Sequence, residues 1–485
     1  MRRLVPLTLA LVAAGCRVGP DHRPPAMALP GRFAGAEAGA AMNEPVVSLA
    51  EWWTVFNDAR LTALVRSAAV SNLDVRVAAA RVREARAQRG VARAALLPGI
   101  QVQGDYARAR LSENSFNGQQ AAAGGQPLEN DLFDAGFDMS WELDVFGGSR
   151  RAVEAATARW QASIESGRDV LVTVLAETGL SYLDLRGAQR QLAVARENLR
   201  TQEQTLALTE DRFRAGLVSE LDVMRAAAQV AATRAQIPPL EEAQQRALHR
   251  LGTLLGVGPR ELESQLLTVA PIPVPPPRLP VGLPSDLLRQ RPDIRRAERQ
   301  LAAATADIGV ATADLFPKFY LTGAAGLQSL EAADFFDGGS RFWSLGPTLR
   351  WPVFAGGRLR QNIRVRTSRQ EEAALRYEQT VLTALEEVEN ALVAFGQEQE
   401  RHRALEQSAA ASRRAVALAS ERYRGGVADF LDVLEAERSL LAAEDNVAQS
   451  ERRLGQNLVR LYKALGGGWQ RSALFVAAGG SCSAP

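Results

Sequence analysis

The chain has 485 residues, 57 Lys+Arg against 55 Asp+Glu, a formal charge of +2 and only two cysteines. That balance gives no bulk attraction to nucleic acid, and the basic residues are scattered along helical stretches, as on solvated faces. His22, His249 and His402 lie far apart without metal-ligand spacing, so no metal site, cofactor or His-based catalysis is indicated, and no nucleophile–base pair argues for an enzyme.

At the start, Met1-Arg2-Arg3 is followed by an apolar run, Leu4 to Ala14, too short to span a bilayer. It ends in Ala13-Ala14-Gly15-Cys16, which resembles a bacterial lipoprotein signal: 1–15 removed, Cys16 acylated. An ordinary signal peptide with an incidental cysteine is the alternative. Lipidation is favoured because Cys16 stands at the cleavage position and the other cysteine, Cys482, lies in a Gly/Ser tail. No other stretch reaches the ~18 consecutive apolar residues of a spanning helix.

An extended N-terminal segment, 16–57, gives way to a short helix marked by Leu61, Leu64, Val65 and Ala68, then to a second from about Asn72 to Leu97, stopped by Pro98. Asp74 to Pro98 is echoed by Asp293 to Pro317. After each proline comes a strand-like segment. Ile100, Val102, Gly104 and Tyr106 alternate with polar residues. Phe133, Ala135, Phe137, Met139, Trp141, Leu143 and Val145 alternate with Asp134, Gly136, Asp138, Ser140, Glu142 and Asp144. Period two puts apolar side chains on one face and polar ones on the other, as in a half-buried soluble strand or an outer-membrane strand; the length favours the second. The second copy, Trp343 to Val353, is interrupted by Pro347 and Pro352. Hairpins are expected at about 99–146 and 318–354, with exposed loops at 113–131 and 329–341.

Gly147-Gly148 and Gly356-Gly357 release the chain into long helices. Positions 171, 178, 185, 192, 199, 206 and 213 are Leu, Thr, Leu, Leu, Leu, Leu, Phe, a seven-residue spacing that predicts coiled-coil-like packing. The echo at 381, 388, 395, 402, 409, 416 and 423 makes His402 a structural residue. Arg212-Phe-Arg-Ala-Gly216 ends the first helix, and Ser219 with Asp222 starts another; the string returns 210 residues later as Arg422-Tyr-Arg-Gly-Gly426 with Asp429 and Asp432. Helical hairpins follow at about 150–256 and 358–466. Repeat 1 is thus 58–270 and repeat 2 is 284–466, joined by a Pro-rich linker, 271–283, and followed by a tail, 467–485. At ~1.5 Å per residue the helix of 150–214 spans roughly 97 Å, and those of 72–97 and 220–256 about 39 and 55 Å, so the two shorter ones can stack end to end beside the long one.

Four strands cannot close a barrel alone, and open edges in lipid are forbidden, so copies must share one. Two copies give eight strands, three give twelve and some lumen; geometry leaves both open. The chain resembles a TolC-like outer-membrane efflux factor of the lipoprotein branch serving resistance–nodulation–division pumps. The resemblance rests on Cys16-Arg-Val-Gly-Pro-Asp21, Trp52-Trp-Thr-Val-Phe-Asn-Asp58, Arg291-Pro-Asp-Ile-Arg295, Trp351-Pro-Val-Phe354 and the paired tips. It implies a mixed α+β membrane protein: a homotrimeric twelve-stranded β-barrel with four strands per chain, continuous with a twelve-helix periplasmic α-barrel and built from two tandem repeats. It also implies a passive, lipid-anchored outer-membrane exit duct for small molecules, partnered by a periplasmic adaptor and an inner-membrane pump. A type I protein-secretion duct shares the fold, and a periplasmic coiled-coil scaffold explains the helices but not the alternation.

From the resemblance, Leu431 and Glu435, with Asp432 nearby, are gate candidates; otherwise Asp432 is a helix N-terminal acid and Glu435 a solvated one. Arg212, Phe213, Gly216, Arg422, Tyr423, Gly425 and Gly426 are adaptor-docking candidates, compatible with the glycines also capping helices. If the even-numbered strand face lines the barrel, Asp134, Asp138, Glu142 and Asp144 make an acidic lumen opposed mainly by Arg350.

Overall fold

The computed structural model describes residues 17–34, 49–258, 260–275, 284–470 and Phe475. Cys16, Cys482, the expected signal segment and residues 276–283 of the linker lie outside the described residues. A 3-10 segment, Leu49–Phe56, leads into α1 (Ala59–Ser71) and α2 (Leu73–Ala94). Strands β1 (Gly99–Arg110) and β2 (Glu129–Leu143) flank a short helix, α3 (Phe116–Ala123), and α4 (Gly148–Arg214) and α5 (Glu220–Leu255) follow. Beyond one-turn helices at Glu263–Leu266 and Leu287–Gln290 come α6 (Pro292–Ala313), β3 (Lys318–Ser329), β4 (Arg341–Arg350), α7 (Arg358–Arg424) and α8 (Phe430–Ala464). The chain divides into two compact units, one of Met1–Pro25, Arg83–Ala162 and Glu298–Arg376, the other of Ala26–Val82, Ser163–Ala297 and Tyr377–Pro485.

The first unit carries one antiparallel sheet in the order β1-β2-β3-β4. Val102 pairs with Phe137, Phe137 with Ala325 and Ala325 with Trp343, so the alternating apolar residues of all four strands share one face. No residue of the four strands is buried, and the edges of β1 and β4 are open. Three boundaries differ from expectation. β2 stops at Leu143 rather than Val145, because Val145 N turns back to Leu143 O at 2.8 Å. β4 stops at Arg350 before Pro352, which has no ladder donor, while Pro347 is kept inside this edge strand, where proline is tolerated. The loop expected at 113–131 contains α3, whose start Ser115 caps by accepting from Gly118 N at 3.1 Å.

Helices α4 and α7 each run 67 residues, about 100 Å at the α-helical rise. Both end in the same two bonds: Gly216 N to Phe213 O with Leu217 N to Arg212 O, and Gly426 N to Tyr423 O with Val427 N to Arg422 O. This is a Schellman closure, and it requires the positive φ that Gly216 (71°) and Gly426 (75°) adopt. Helix α5 continues through Pro238 and Pro239, neither of which can donate to the preceding turn.

The shorter helices meet end to end in the second unit. Asn72, buried, accepts from Asp74 N and Val75 N at the start of α2 and donates to Leu254 O at the end of α5 (2.8 Å), so one amide caps two helices. Arg291 joins the second pair, donating to Ala464 O of α8 at 2.7 Å while gripping Asp293 at the start of α6. Trp52 of the 3-10 segment wedges this unit together, stacked on Tyr462 at 5.8 Å, and Asp58 both caps α1 and accepts the Tyr182 hydroxyl.

The seven-residue stripe of α4 holds only part of the way. Leu171, Thr178, Leu185 and Leu192 are buried, but Leu199 and Leu206 are half-buried and Phe213 is 43% exposed, while Asn198, Gln202 and Thr209 are buried in their place. The contact line thus leaves the leucines for positions one residue before them or three after them. In α7, Val381, Val388, Phe395, Ala409 and Tyr423 are buried, and His402 is half-buried with Glu406 at 3.5 Å.

Candidate functional site

On the polar side of the sheet, Asp138 lies in a row with Gln101, Ala324 and Ser344; Asp134 pairs across the strands with Asp105 and Gln328; Glu142 sits beside Tyr320 and Thr348. Four strand carboxylates (Asp105, Asp134, Asp138, Glu142) meet two cations, Arg350 and Lys318, on this face. Lys318 was not foreseen. It stands 4.0 Å from Glu142 and 3.0 Å from Asp314, and it pairs across to Arg350, which lies over the Tyr320 ring at 5.1 Å. Asp144 does not belong to the face. Beyond the end of β2, its carboxylate accepts from Ser149 N (3.1 Å) and Arg150 N (2.8 Å) and pairs with the Arg150 side chain, so it caps α4. The first N–H groups of α4 have no partner within the helix, and this carboxylate supplies one.

The apolar face is a band of defined height. From the Leu143–Phe319–Leu349 row to the Tyr106–Phe133 row is ten residues. That is about 34 Å along a strand, or about 26 Å across a membrane once strands tilt by ~40°. The next rows of the same face, Arg108–Asp131 and Arg110–Glu129, are charged, with Arg108 bonded to Glu129 at 3.2 Å. At the opposite rim Trp141 and Trp351 donate to Leu96 O (3.0 Å) and Leu315 O (3.1 Å), just before Pro98 and Pro317. Each repeat thus ties a strand to the end of its helix through one indole.

At the tips, two expectations need correcting. Tyr423 is 2% exposed and presents almost no surface at the tip. It packs with Phe430, Val433, Leu434 and Ala226, and its ring meets Phe430 edge-on at 5.9 Å. Arg212, half-buried, stacks its guanidinium on the Tyr423 ring at 4.4 Å and donates to the Tyr423 carbonyl, so it clasps the second tip to the first. Phe213, Arg422, Gly216, Gly425 and Gly426 are exposed, joined by Leu217 and Val427, one residue past each closing glycine. The shared rule for finding Leu217 and Val427 is their identical offset from the tip glycines.

Leu431, Asp432 and Glu435 are exposed together on α8, opposite the buried Val433, Leu434 and Glu437. Glu435 lies 3.4 Å from Arg438, whose Nε donates to Gln229 of α5 at 2.7 Å. Asp432 N and the matching Asp222 N donate alike to the carbonyls of Asp429 and Ser219, and the Asp222 carboxylate also accepts from the Ser219 hydroxyl (2.7 Å) and backbone N–H (3.2 Å).

Glu437 escaped sequence reading. It is 4% exposed, makes no ion pair among the described residues, and accepts the Thr205 hydroxyl at 2.8 Å. Burial pushes its carboxyl above the ordinary 4.5, and the Thr205 bond offsets this only in part. Because the folded pKa is the higher one, the contact is most stable below pH 4.5 and loses stability as pH rises through the raised value. Glu437→Gln is expected to stabilise the tip by about 1 kcal/mol at pH 7 and by almost nothing at pH 4, read from hydrogen exchange in the first turns of α8. Equal gains at both pH values would contradict the buried-charge explanation.

Among the described residues no cluster of three or more His, Cys, Asp or Glu side chains could hold a metal ion, and no described helix is long and apolar enough to cross a membrane. His22 pairs with Glu298 at 2.7 Å and His249 is exposed.

The geometry is that of known proteins. A family model described as Outer membrane efflux protein matches residues 64–257 and again 283–467, one match per repeat. Nodulation protein T of Rhizobium leguminosarum bv. trifolii is 35% identical over 460 residues, 95% of this chain and 96% of the relative. The pyoverdine export outer membrane protein OpmQ of Pseudomonas aeruginosa is 35% identical over 478 residues, 97% of this chain and 98% of the relative. The solved outer-membrane channel OprN superposes with a TM-score of 0.87 at 39% identity, over 94% of this chain and 100% of that one. Matched in both repeats and along nearly its whole length, the chain belongs to the outer membrane efflux protein family.

Proposed function

We propose that three copies of the chain close edge to edge, β4 of one against β1 of the next, into a twelve-stranded barrel whose helices continue as a twelve-helix periplasmic tunnel. The chain is an outer-membrane efflux duct; the trimer, the anchor, the partners and the gate are the proposed parts. The observation that carries the barrel is a sheet with both edges open, no buried residue, and one face apolar over a membrane's thickness. The strand order also suits it, because β1 and β4 run in opposite directions and the closing pair stays antiparallel. Eight strands would fill with side chains; twelve leave a lumen.

In this reading the duct is passive. An inner-membrane pump of the resistance–nodulation–division type supplies the energy through a periplasmic adaptor, which docks on the exposed Phe213, Leu217, Arg422 and Val427 around Gly216, Gly425 and Gly426. Leu431, Asp432 and Glu435 form the constriction, repeated three times around the axis, and Cys16 carries the lipid. Efflux of small molecules is supported by the relatives, of which OpmQ is named for pyoverdine export. A deletion strain is expected to become several-fold more sensitive to a panel of drugs and metal ions, with Cys16→Ala restoring only part of the resistance. Unchanged sensitivity across the panel would sink the efflux reading. The excess of carboxylates on the polar face predicts mild cation preference in planar-bilayer reversal potentials, and clear anion preference would contradict that lining.

A further inference from the structure

The residues directly after Cys16 form a strap on the first unit, and a buried arginine holds it. Arg17 lies against Gly147, whose added Cβ would sit 3.1 Å from the Arg17 Cα, and Val18 N donates to Phe146 O at 3.3 Å. Arg151 of α4 is 1% exposed, and most of its donors go to the strap: Nε to Val18 O (3.1 Å), Nη2 to Gly19 O (3.2 Å) and to Asp21 (2.8 Å). Its Nη1 takes Glu154 at 2.9 Å, which also pairs with Arg17. Further on, Gly19 lies backbone to backbone on Gly309 of α6, so close that a Cβ at Gly19 would come within 2.4 Å of the Gly309 Cα. His22 then pairs with Glu298.

Burying a guanidinium carries a large desolvation penalty unless its donors are satisfied. Here the strap's carbonyls and Asp21 do most of the satisfying. The height of the strap is equally specific, because Phe146 and Gly147 follow within four residues of Leu143, the last apolar residue of β2 on the lipid-type face. Cys16 is one residue, ~3.8 Å of backbone, from Arg17.

We infer that Arg151 is a positioning residue for the lipid anchor: by buckling residues 17–22 onto α4 and α6 it delivers the acyl chains of Cys16 to the periplasmic leaflet at the barrel rim, so that acylation seats the barrel in the membrane. The inference rests on the acylation of Cys16 proposed above. A loose tether of the same sequence would hold the protein in the membrane without fixing its depth.

The test compares Gly19→Ala/Asp21→Ala, which changes only the strap, and Arg151→Gln, each in the acylated chain and in a chain joined at Arg17 to an ordinary cleavable signal peptide. The mass of the N-terminal peptide reports acylation, heat-resistant oligomers on gels report assembly, and trypsin release of the N-terminus after Arg17 or Arg23 reports the strap. In the acylated chain the strap variant is expected to keep its lipid and its oligomer, to lose the N-terminus at least tenfold faster than wild type, and to fall to the drug resistance of the unacylated chain. In the unacylated chain the same substitutions are expected to leave resistance unchanged. Loss of resistance to the same extent in both chains would show a purely structural strap and overturn the inference, as would unchanged trypsin protection or unchanged resistance in the acylated variant. A wild-type peptide without lipid would remove the anchor itself, a failure visible in the mass alone.

Discussion

Ala325→Arg is expected to abolish assembly, whereas Ala324→Arg, one residue earlier in the same strand, is expected to leave it intact. Ala325 lies in the row Val102–Phe137–Ala325–Trp343, near the middle of the apolar band. An arginine at the midplane of a barrel's lipid face costs about 2–4 kcal/mol. Three copies would bring that to roughly 6–12 kcal/mol, comparable with the whole stability of many folded domains. Ala324 points the other way, in the row of Gln101, Asp138 and Ser344, where a guanidinium finds water and a carboxylate. The measurement is the heat-resistant oligomer recovered from outer membranes, with drug resistance alongside. If both variants assemble equally well, the sheet does not face lipid in the way described.

Tyr423→Ala should unfasten the tip. The ring is buried against Phe430, Val433 and Leu434, and it receives the Arg212 guanidinium. Truncating a buried aromatic to alanine costs about 3–5 kcal/mol, and losing the cation–π contact adds about 1 kcal/mol. The loss is local, because the cluster is confined to the tip ends of the helices, with Leu206 and Leu208 of α4 and Ala226 of α5 joining the last turns of α7 and the first turns of α8. Channels of this variant are therefore expected to stay open, with single-channel conductance several-fold above wild type and entry of large antibiotics that the intact tip excludes. Tyr423→Phe keeps the ring and gives up only a 3.5 Å contact between its hydroxyl and Thr209, so it should behave as wild type. Wild-type conductance in Tyr423→Ala would mean that the tip is not the constriction.

Period two in the strands and glycines at matched offsets were enough to lay out both repeats, because each is a local property of the backbone. The side chains at the site were less legible, and the reasons differ. Tyr423 sat on the seven-residue series that predicts burial, yet the resemblance placed it with the tip among the docking candidates; it packs against Phe430 and is buried. Asp144 completed an alternation of acids, but the helix that begins four residues later starts with unpaired amide donors that this carboxylate caps. Nothing local separates Arg151 from Arg150: one is buried under a strap some 130 residues earlier in the chain, the other pairs with Asp144. Asn72 reads as an ordinary helix start, and only the arrival of Leu254 gives its amide a second helix to cap. Lys318 and Glu437 likewise gain meaning from partners distant in sequence, Glu142 and Thr205.

The duct can be tested most directly by blocking its current. With cysteine at position 138 or 137 in a chain otherwise lacking reactive thiols, purified channels are opened in planar bilayers and exposed to a water-soluble, positively charged thiol reagent. Asp138 belongs to the polar row and Phe137 to the apolar one. Current through Asp138→Cys channels should fall stepwise as each copy reacts, and current through Phe137→Cys channels should not change. Block of the Phe137→Cys channels with the Asp138→Cys channels spared would contradict a polar lumen within a lipid-facing barrel.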